Sequence, residues 1–250
     1  MTSLDLFRLD GQTAVVTGGA GGLGAAMARG LAEAGAAVAV ADSNAGQARI
    51  AKQGARALAV AVDVADRASV ERMAAEAEDR LGAIDVLINC AGITHRSPAD
   101  VFPEAEWHRV LAVNLSGVFW GCQVVGQRML ARNRGSIINI ASIAGEIGLT
   151  GTVAYAASKG GVVMLTRALA AEWAPRNVRV NAIAPSWFES NIGDLIHREP
   201  NYYERAMRRV PMGRMGKPAE LIGAALYLAS AASTMVTGHV LAVDGGTLAS

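Results

Sequence analysis

The chain has 250 residues, enough for one large α/β domain or two small ones, and 52% of them are apolar, which supports a sizeable buried core. Its formal charge of +1, with no run of Lys or Arg, argues against nucleic acid or an anionic membrane surface as the main partner. Apolar stretches such as Ala36 to Ala41 or Ala57 to Val62 fall far short of the ~20 residues of a spanning helix, so no membrane segment is expected. Met1 to Asp10 carry acidic side chains and no apolar signal core, so secretion is not expected. Cys90 and Cys122 stand in no metal or redox spacing. No disulfide framework and no metal site are therefore predicted, and a reducing cytoplasm is the expected compartment.

Short β-branched runs alternate with longer helical patterns along the whole chain, the pattern of a parallel sheet with crossover helices. The first predicted strand is Thr13 to Thr17, followed by Thr17-Gly18-Gly19-Ala20-Gly21-Gly22-Leu23-Gly24 and a helix over Gly22 to Ala34. Glycines let backbone approach a pyrophosphate closely, and a helix N-terminus offers unpaired N–H groups with a partial positive charge. In this strand–turn–helix context the motif, with Gly18, Gly21, Gly22, Leu23 and Gly24, predicts dinucleotide binding. The second strand, Ala37 to Ala41, ends at Asp42, about 20 residues beyond the turn. A carboxylate there accepts hydrogen bonds from ribose hydroxyls and repels a 2′-phosphate, so NAD(H) is expected in preference to NADP(H).

The third strand, Leu58 to Val62, leads into Asp63-Val64, which either approach the adenine amino group or serve as a turn. A helix is predicted over Ser69 to Leu81, then a strand over Val86 to Asn89 ending in Asn89-Cys90-Ala91-Gly92. Open parallel sheets bind ligands at such carboxyl ends. A long helical pattern covers Glu104 to Ala131, the fifth strand Ser136 to Ile140, and the next helix Val153 to Ala174. Strand pairs such as Val15-Val16 and Ile137-Ile138 are apolar on both faces, as expected when helices cover both sides. A sixth strand over Arg179 to Ile183 and a seventh over Val240 to Val243 flank a stretch without the alternating rhythm, and Ala219 to Leu228 read as helix. That stretch, about 186–217, carries Trp187, Phe188, Tyr202, Tyr203 and several Met residues and reads as a substrate lid on a single domain spanning 1–250. Pro218 suits the first turn of the helix after it.

Tyr155 and Lys159 stand four apart on a predicted helix and so share a face. Such a pair alone is ordinary surface patterning. With Ser142 just past the fifth strand, it brings a phenol, an ammonium and a hydroxyl within reach of one proton. A tyrosine titrates near 10 unperturbed, and nearby positive charge stabilises its phenolate. Lys159 can supply that charge, and the Ser142 hydroxyl can donate to a developing alkoxide. No His stands in a Ser/His/Asp order beside a glycine elbow, which disfavours hydrolase chemistry.

Taken together, Thr17-Gly18-x-x-x-Gly22-x-Gly24, Asn89-x-Ala91-Gly92, Asn114, Ser142 and Tyr155-x-x-x-Lys159 resemble the short-chain dehydrogenase/reductase family over essentially the whole chain. The resemblance implies a seven-stranded, doubly wound Rossmann fold and commonly a homotetramer. It implies Tyr155 as acid/base, Lys159 as its electrostatic partner and ribose anchor, Ser142 as carbonyl orienter and Asn114 as support for a proton-relay water. It also brings Pro185, the backbone at Phe188 and the hydroxyl of Ser190 to the nicotinamide. Two departures stand out: Cys90 replaces the family's second Asn, and Ser186 replaces the glycine after Pro185, which restricts the backbone at the lid.

The expected reaction interconverts a secondary alcohol and a ketone by hydride transfer. The pattern looks like the branch with gluconate and 2-deoxygluconate dehydrogenases, which implies a sugar acid or small polyol. Candidate substrate residues are Thr94, His95, Arg96, Ala144, Glu146, Leu149, Trp187 and Phe188, beside Ser142 and Tyr155. His95 or Arg96 could face a carboxylate or hydroxyls, or be solvated loop residues. Competing readings are a 3-oxoacyl carrier-protein reductase, disfavoured by Asp42, a dehydrogenase of cyclic or hydroxysteroid-like alcohols, and a silent dinucleotide-binding module. The last would be expected to lack one of Ser142, Tyr155 or Lys159, and all are present. Small and apolar residues Gly160 to Leu165 suit packing on a symmetry mate or a doubly buried core helix equally.

Overall fold

The computed structural model describes residues 2–44, 56–189 and 201–250. The apolar runs form seven strands: β1 (Thr13–Thr17), β2 (Ala37–Asp42), β3 (Ala57–Ala61), β4 (Ile84–Asn89), β5 (Gly135–Ile140), β6 (Val178–Pro185) and β7 (Val240–Val243). They pair in parallel in the order β3-β2-β1-β4-β5-β6-β7. Between them lie α1 (Gly22–Glu33), α2 (Arg67–Leu81), α3 (Glu104–Leu111), α4 (Gly117–Arg132), α5 (Val153–Trp173), α6 (Tyr202–Met207) and α7 (Ile222–Ala229). β1 and β7 keep their predicted bounds, the other ends differ by up to three residues, most at the start of α7, Ile222 against a predicted Ala219, and the sixth strand continues to Pro185.

Successive strand residues serve opposite faces. Val15, Leu87, Ile137 and Val180 pack with Met73, Val125 and Leu169 from α2, α4 and α5. Val16, Ile88, Ile138 and Ile183 pack with Met27, Leu31 and Leu228 from α1 and α7. Each such side chain contributes about 1.5–3 kcal/mol when fully buried, so both faces of the sheet hold their helices by apolar burial. Local signals set the helix ends. Asp66 caps α2 by accepting from the Ala68 N–H at 3.0 Å, and Gly82 (φ 97°) ends that helix in a conformation that favours glycine.

The run Glu104–Arg132 is continuous, and among the described residues it is the one helix long and apolar enough to cross a membrane. Val110, Val118, Cys122, Val125 and Met129 are buried in the protein's own core, with α4 lying against α2 and β4. The run widens at Ala112–Ser116, where the Gly117 N–H reaches the Ala112 carbonyl five residues back. Such bulges recur at functional sites, and this one carries Asn114. Pro218 opens the short turn Pro218–Leu221 that leads into α7.

The strand order reverses between β1 and β4, the point at which open α/β sheets bind ligands beyond the strands' carboxyl ends. The turn after β1, Asp42 at the end of β2 and the loop after β4 all face that crevice.

Candidate active site

A cavity of ≈ 430 Å³ runs along this crevice from Gly18, Gly21–Gly24, Asp42, Asp63 and Val64 at one end to Ser142, Tyr155, Lys159, Trp187 and Tyr202 at the other. At the first end, Gly18 has φ 66°, and a Cβ on it would stand 2.7 Å from the Ala91 Cα. A Cβ on Gly24 would collide with the Gly18 carbonyl. The Thr17 hydroxyl accepts from the Cys90 and Ala91 N–H groups at 3.1 and 3.3 Å, tying the turn to the loop after β4. No side chain caps the start of α1 at Gly21, so its first residues, which line the cavity, have N–H groups without an intrahelical partner. Bare N–H groups, a partial positive charge and a turn packed so tightly on neighbouring backbone that Gly18 and Gly24 admit no Cβ fit a pyrophosphate. The Asp42 carboxylate accepts from the Ala20 N–H at 3.1 Å and the Asn44 N–H at 3.1 Å, which holds it at the cavity edge. Asp63 also takes the turn role, accepting from the Ala65 N–H at 2.9 Å while lining the cavity.

At the other end, the Lys159 ammonium donates to the Ile140 carbonyl at 2.6 Å and lies 5.7 Å from the centre of the Tyr155 ring. Lys159 is buried, and burial pulls its pKa down to about 8. Burial likewise raises the Tyr155 phenol, against a hydrogen bond with Ser142 that lowers it. The Ser142 oxygen accepts from the Ala144 N–H at 3.1 Å, which fixes the hydroxyl at the start of a short turn. Asn114 is fully buried: its carbonyl accepts from the Ile93 N–H at 2.9 Å, and its amide donates to the Ile93 carbonyl at 2.8 Å and to the Ser158 hydroxyl at 3.2 Å. Ser158 in turn donates to the Tyr155 carbonyl. The loop after Gly92 is thus latched to α5 beside Tyr155.

Several sequence-predicted positions fall elsewhere. The Asn89 side chain points away from the cavity and donates to Asn139 at 2.9 Å in the core. His95 does not line the cavity; its ring stands edge-on to Phe102, 5.5 Å between centres, and 3.4 Å from Glu106. Ala144 and Glu146 also lie off the wall, whereas Thr94, Arg96, Leu149, Trp187, Phe188 and Pro185 are on it. Ser190 lies outside the described residues. Ser186 is not among the non-glycine residues with positive φ, so serine is accommodated there without left-handed strain. Cys90 sits on the wall, yet burial raises its thiol to about 12, as it does Cys122, so neither is a ready thiolate.

Sequence reasoning missed two features. Tyr202, seen there only as an aromatic of the lid region, lines the cavity with the Arg96 guanidinium 4.1 Å over its ring. The carbonyl that holds Lys159 belongs to Ile140, and no side-chain pattern could signal a backbone oxygen.

A doubly wound sheet with this crevice, glycine turn and Tyr/Lys/Ser cluster defines a dinucleotide-dependent oxidoreductase acting between alcohol and ketone. Residues 18–247 match the family model described as enoyl-(acyl carrier protein) reductase, and the chain belongs to the short-chain dehydrogenase/reductase family. It is 41% identical to the 5-keto-D-gluconate 5-reductase of Escherichia coli (strain K12), over 98% of both chains. It is 42% identical to the D-threitol dehydrogenase of Mycolicibacterium smegmatis, covering 96% of this chain and 94% of that one. Among solved structures, a gluconate 5-dehydrogenase from Burkholderia cenocepacia in complex with NADP and tartrate superposes with a TM-score of 0.96, at 43% identity over 100% of both chains.

Proposed function

We propose that the protein oxidises a secondary alcohol of a small sugar acid or polyol to the ketone, and runs the reverse, with NAD(H) and with Tyr155 as the proton acceptor and donor. The convergence of Tyr155, Lys159 and Ser142 at one end of a crevice whose other end fits a pyrophosphate carries this reading. The bound dinucleotide supplies the hydride acceptor or donor. Ser142 donates a hydrogen bond to the substrate oxygen, holding it beside the Tyr155 phenol. Tyr155 takes the hydroxyl proton as the carbonyl forms and returns it in reduction. Lys159 stabilises the phenolate by its charge and anchors the nicotinamide ribose. Asn114 holds the Ile93 loop and α5 and supports a relay water to Lys159. Gly18, Gly21, Gly22, Leu23 and Gly24 cradle the pyrophosphate, Asp42 takes the adenosine ribose, Asp63 and Val64 meet the adenine, and Ala91, Gly92, Pro185 and Phe188 border the remaining length. Asn89 supports this border from the core side.

Asp42 supports NAD(H), because a 2′-phosphate would meet its carboxylate. The Burkholderia neighbour carries NADP, so comparison of kcat/KM for NAD+ and NADP+ is the direct test. Equal efficiencies would overturn the role given to Asp42. The reading as a whole is tested by following reduction of both dinucleotides against aldonates, alditols, cyclic alcohols and 3-hydroxyacyl thioesters. Turnover confined to the thioesters would move the assignment to acyl reduction, and no turnover on any of them would defeat it.

Arg96 supports the sugar-acid reading over the neutral polyol: its guanidinium, 4.1 Å over the Tyr202 ring, brings a second cation besides Lys159 to the wall. A charged hydrogen bond contributes about 1.5–3 kcal/mol. Arg96→Ala is therefore expected to raise KM for an aldonate ~10–100-fold and to leave an alditol of equal length nearly unchanged. Equal effects on both would leave the D-threitol-like reading. The stretch 186–217, of which 190–200 lie outside the described residues, is read as the lid of the single domain, the protein works in a reducing cytoplasm, and α5, with Val153 and Met164 exposed, supports assembly as a homo-oligomer.

A further inference from the structure

The core beneath the cavity holds polar side chains that the proposed chemistry does not use. Asn139, in β5, has no exposed surface. Its carbonyl accepts from the Asn89 amide at 2.9 Å and from the Cys122 thiol at 3.4 Å, and its amide donates to the Thr166 hydroxyl at 3.0 Å. Thr166, also fully buried, donates to the Val162 carbonyl at 2.8 Å. The chain of bonds crosses α4, β4, β5 and α5, and Gly121 leaves room for it, since a Cβ there would collide with the Asn89 carbonyl oxygen. Buried polar groups are costly in an apolar core unless paired, and fully paired networks fix one geometry.

Its position gives that geometry a use. Thr166 follows Lys159 by seven residues, two helical turns, so both stand on one face of α5. Asn139 immediately precedes Ile140, whose carbonyl holds the Lys159 ammonium. Helix and strand are therefore pinned at two points, Thr166 on Asn139 and Lys159 on Ile140. We propose that Asn139 and Thr166 are positioning residues for proton transfer, setting the height of α5 against β5 and with it the distance from the Lys159 ammonium to the Tyr155 phenol. The proposal rests on the reading of Tyr155 and Lys159 above.

The test compares Thr166→Val, which keeps the shape and removes the hydroxyl, with Thr166→Ser, which keeps the hydroxyl. With the Lys159 ammonium held at the Ile140 carbonyl of β5, a shift of α5 carries the Tyr155 phenol away from it, so the phenolate is less stabilised and the phenol pKa rises. An ångström of displacement at an effective dielectric of about 20 corresponds to roughly half a pH unit. Thr166→Val is expected to move the acid limb of the kcat–pH profile for alcohol oxidation upward by that amount and to lower kcat about threefold at neutral pH, with KM for the dinucleotide within about twofold of wild type. Thr166→Ser should restore the wild-type profile. A Thr166→Val enzyme with lowered thermal stability but an unmoved profile would overturn the proposal, because a merely structural bond does not shift a titration. Should valine prevent folding, Thr166→Ala carries the same readout. Tyr155→Phe separates the two levels: if it stays active, proposal and reading both fail; if it is inactive and the Thr166→Val profile is unmoved, only the positioning role fails.

Discussion

Tyr155→Phe is expected to lower turnover by about 10²–10⁴-fold, the usual contribution of a positioned acid/base, while leaving dinucleotide binding and folding close to wild type. Only the hydroxyl is removed. The ring still fills its place on α5, and the pyrophosphate end of the crevice, built from the turn after β1, does not touch it. The size of the effect follows from the electrostatics. Burial opposes charge on both members of the pair, lifting the phenol and lowering the ammonium to about 8. A phenolate there depends on positive charge nearby, and the Lys159 ammonium stands 5.7 Å from the ring centre. Kinetics with NAD+ and the best substrate of the panel, together with NADH binding by fluorescence, check the prediction. Activity within a few-fold of wild type would remove Tyr155 from the proton-transfer role.

The frame was legible because strands such as β1 and β5 carry apolar pairs, Val15-Val16 and Ile137-Ile138, that load both faces, a pattern that a surface-exposed sheet does not produce. The glycine turn was legible for a related reason: at Gly18 and Gly24 backbone stands where a Cβ would be, so the residue type records the contact itself. Asn89 shows the limit. It stands at the carboxyl end of a central strand, where ligands bind, but alternate residues of a strand point to opposite faces, and its amide turns into the core toward Cys122 and Asn139. His95 and Arg96 were equivalent as sequence; the loop sends one to Glu106 and Phe102 and the other to the cavity. That choice depends on neighbours just downstream, Phe102 and Glu106, and on Tyr202 of α6, which is remote in sequence. Lys159 was read from its spacing to Tyr155, whereas its anchoring to the Ile140 carbonyl depends on how α5 crosses β5.

The glycine turn makes the second large prediction. Gly24→Ala puts a methyl group against the Gly18 carbonyl, with the Gly18 carbonyl carbon 2.8 Å and the Gly19 Cα 3.1 Å from the added atom. The turn cannot retreat: Gly18 already sits against the Ala91 backbone, and the Gly19 N–H donates to the Ala41 carbonyl at 3.2 Å. The start of α1 must therefore move outward. Overpacking of this kind costs about 1–3 kcal/mol, and for a chain of this length each kcal/mol lowers Tm by roughly 2–4 °C. The larger loss is functional, because the unpaired N–H groups at the helix start lose their aim at a pyrophosphate. KM for the dinucleotide is expected to rise on the order of 100-fold, while the Tyr155 end of the cavity stays intact. Gly223→Ala in α7 is the control: a Cβ there meets nothing within 4 Å, and alanine favours a helix by up to about 1 kcal/mol over glycine. Calorimetric titration of both variants with NAD+ separates the effects, since a fall in Tm without weaker binding would make Gly24 a packing residue and leave the dinucleotide contact to the rest of the turn.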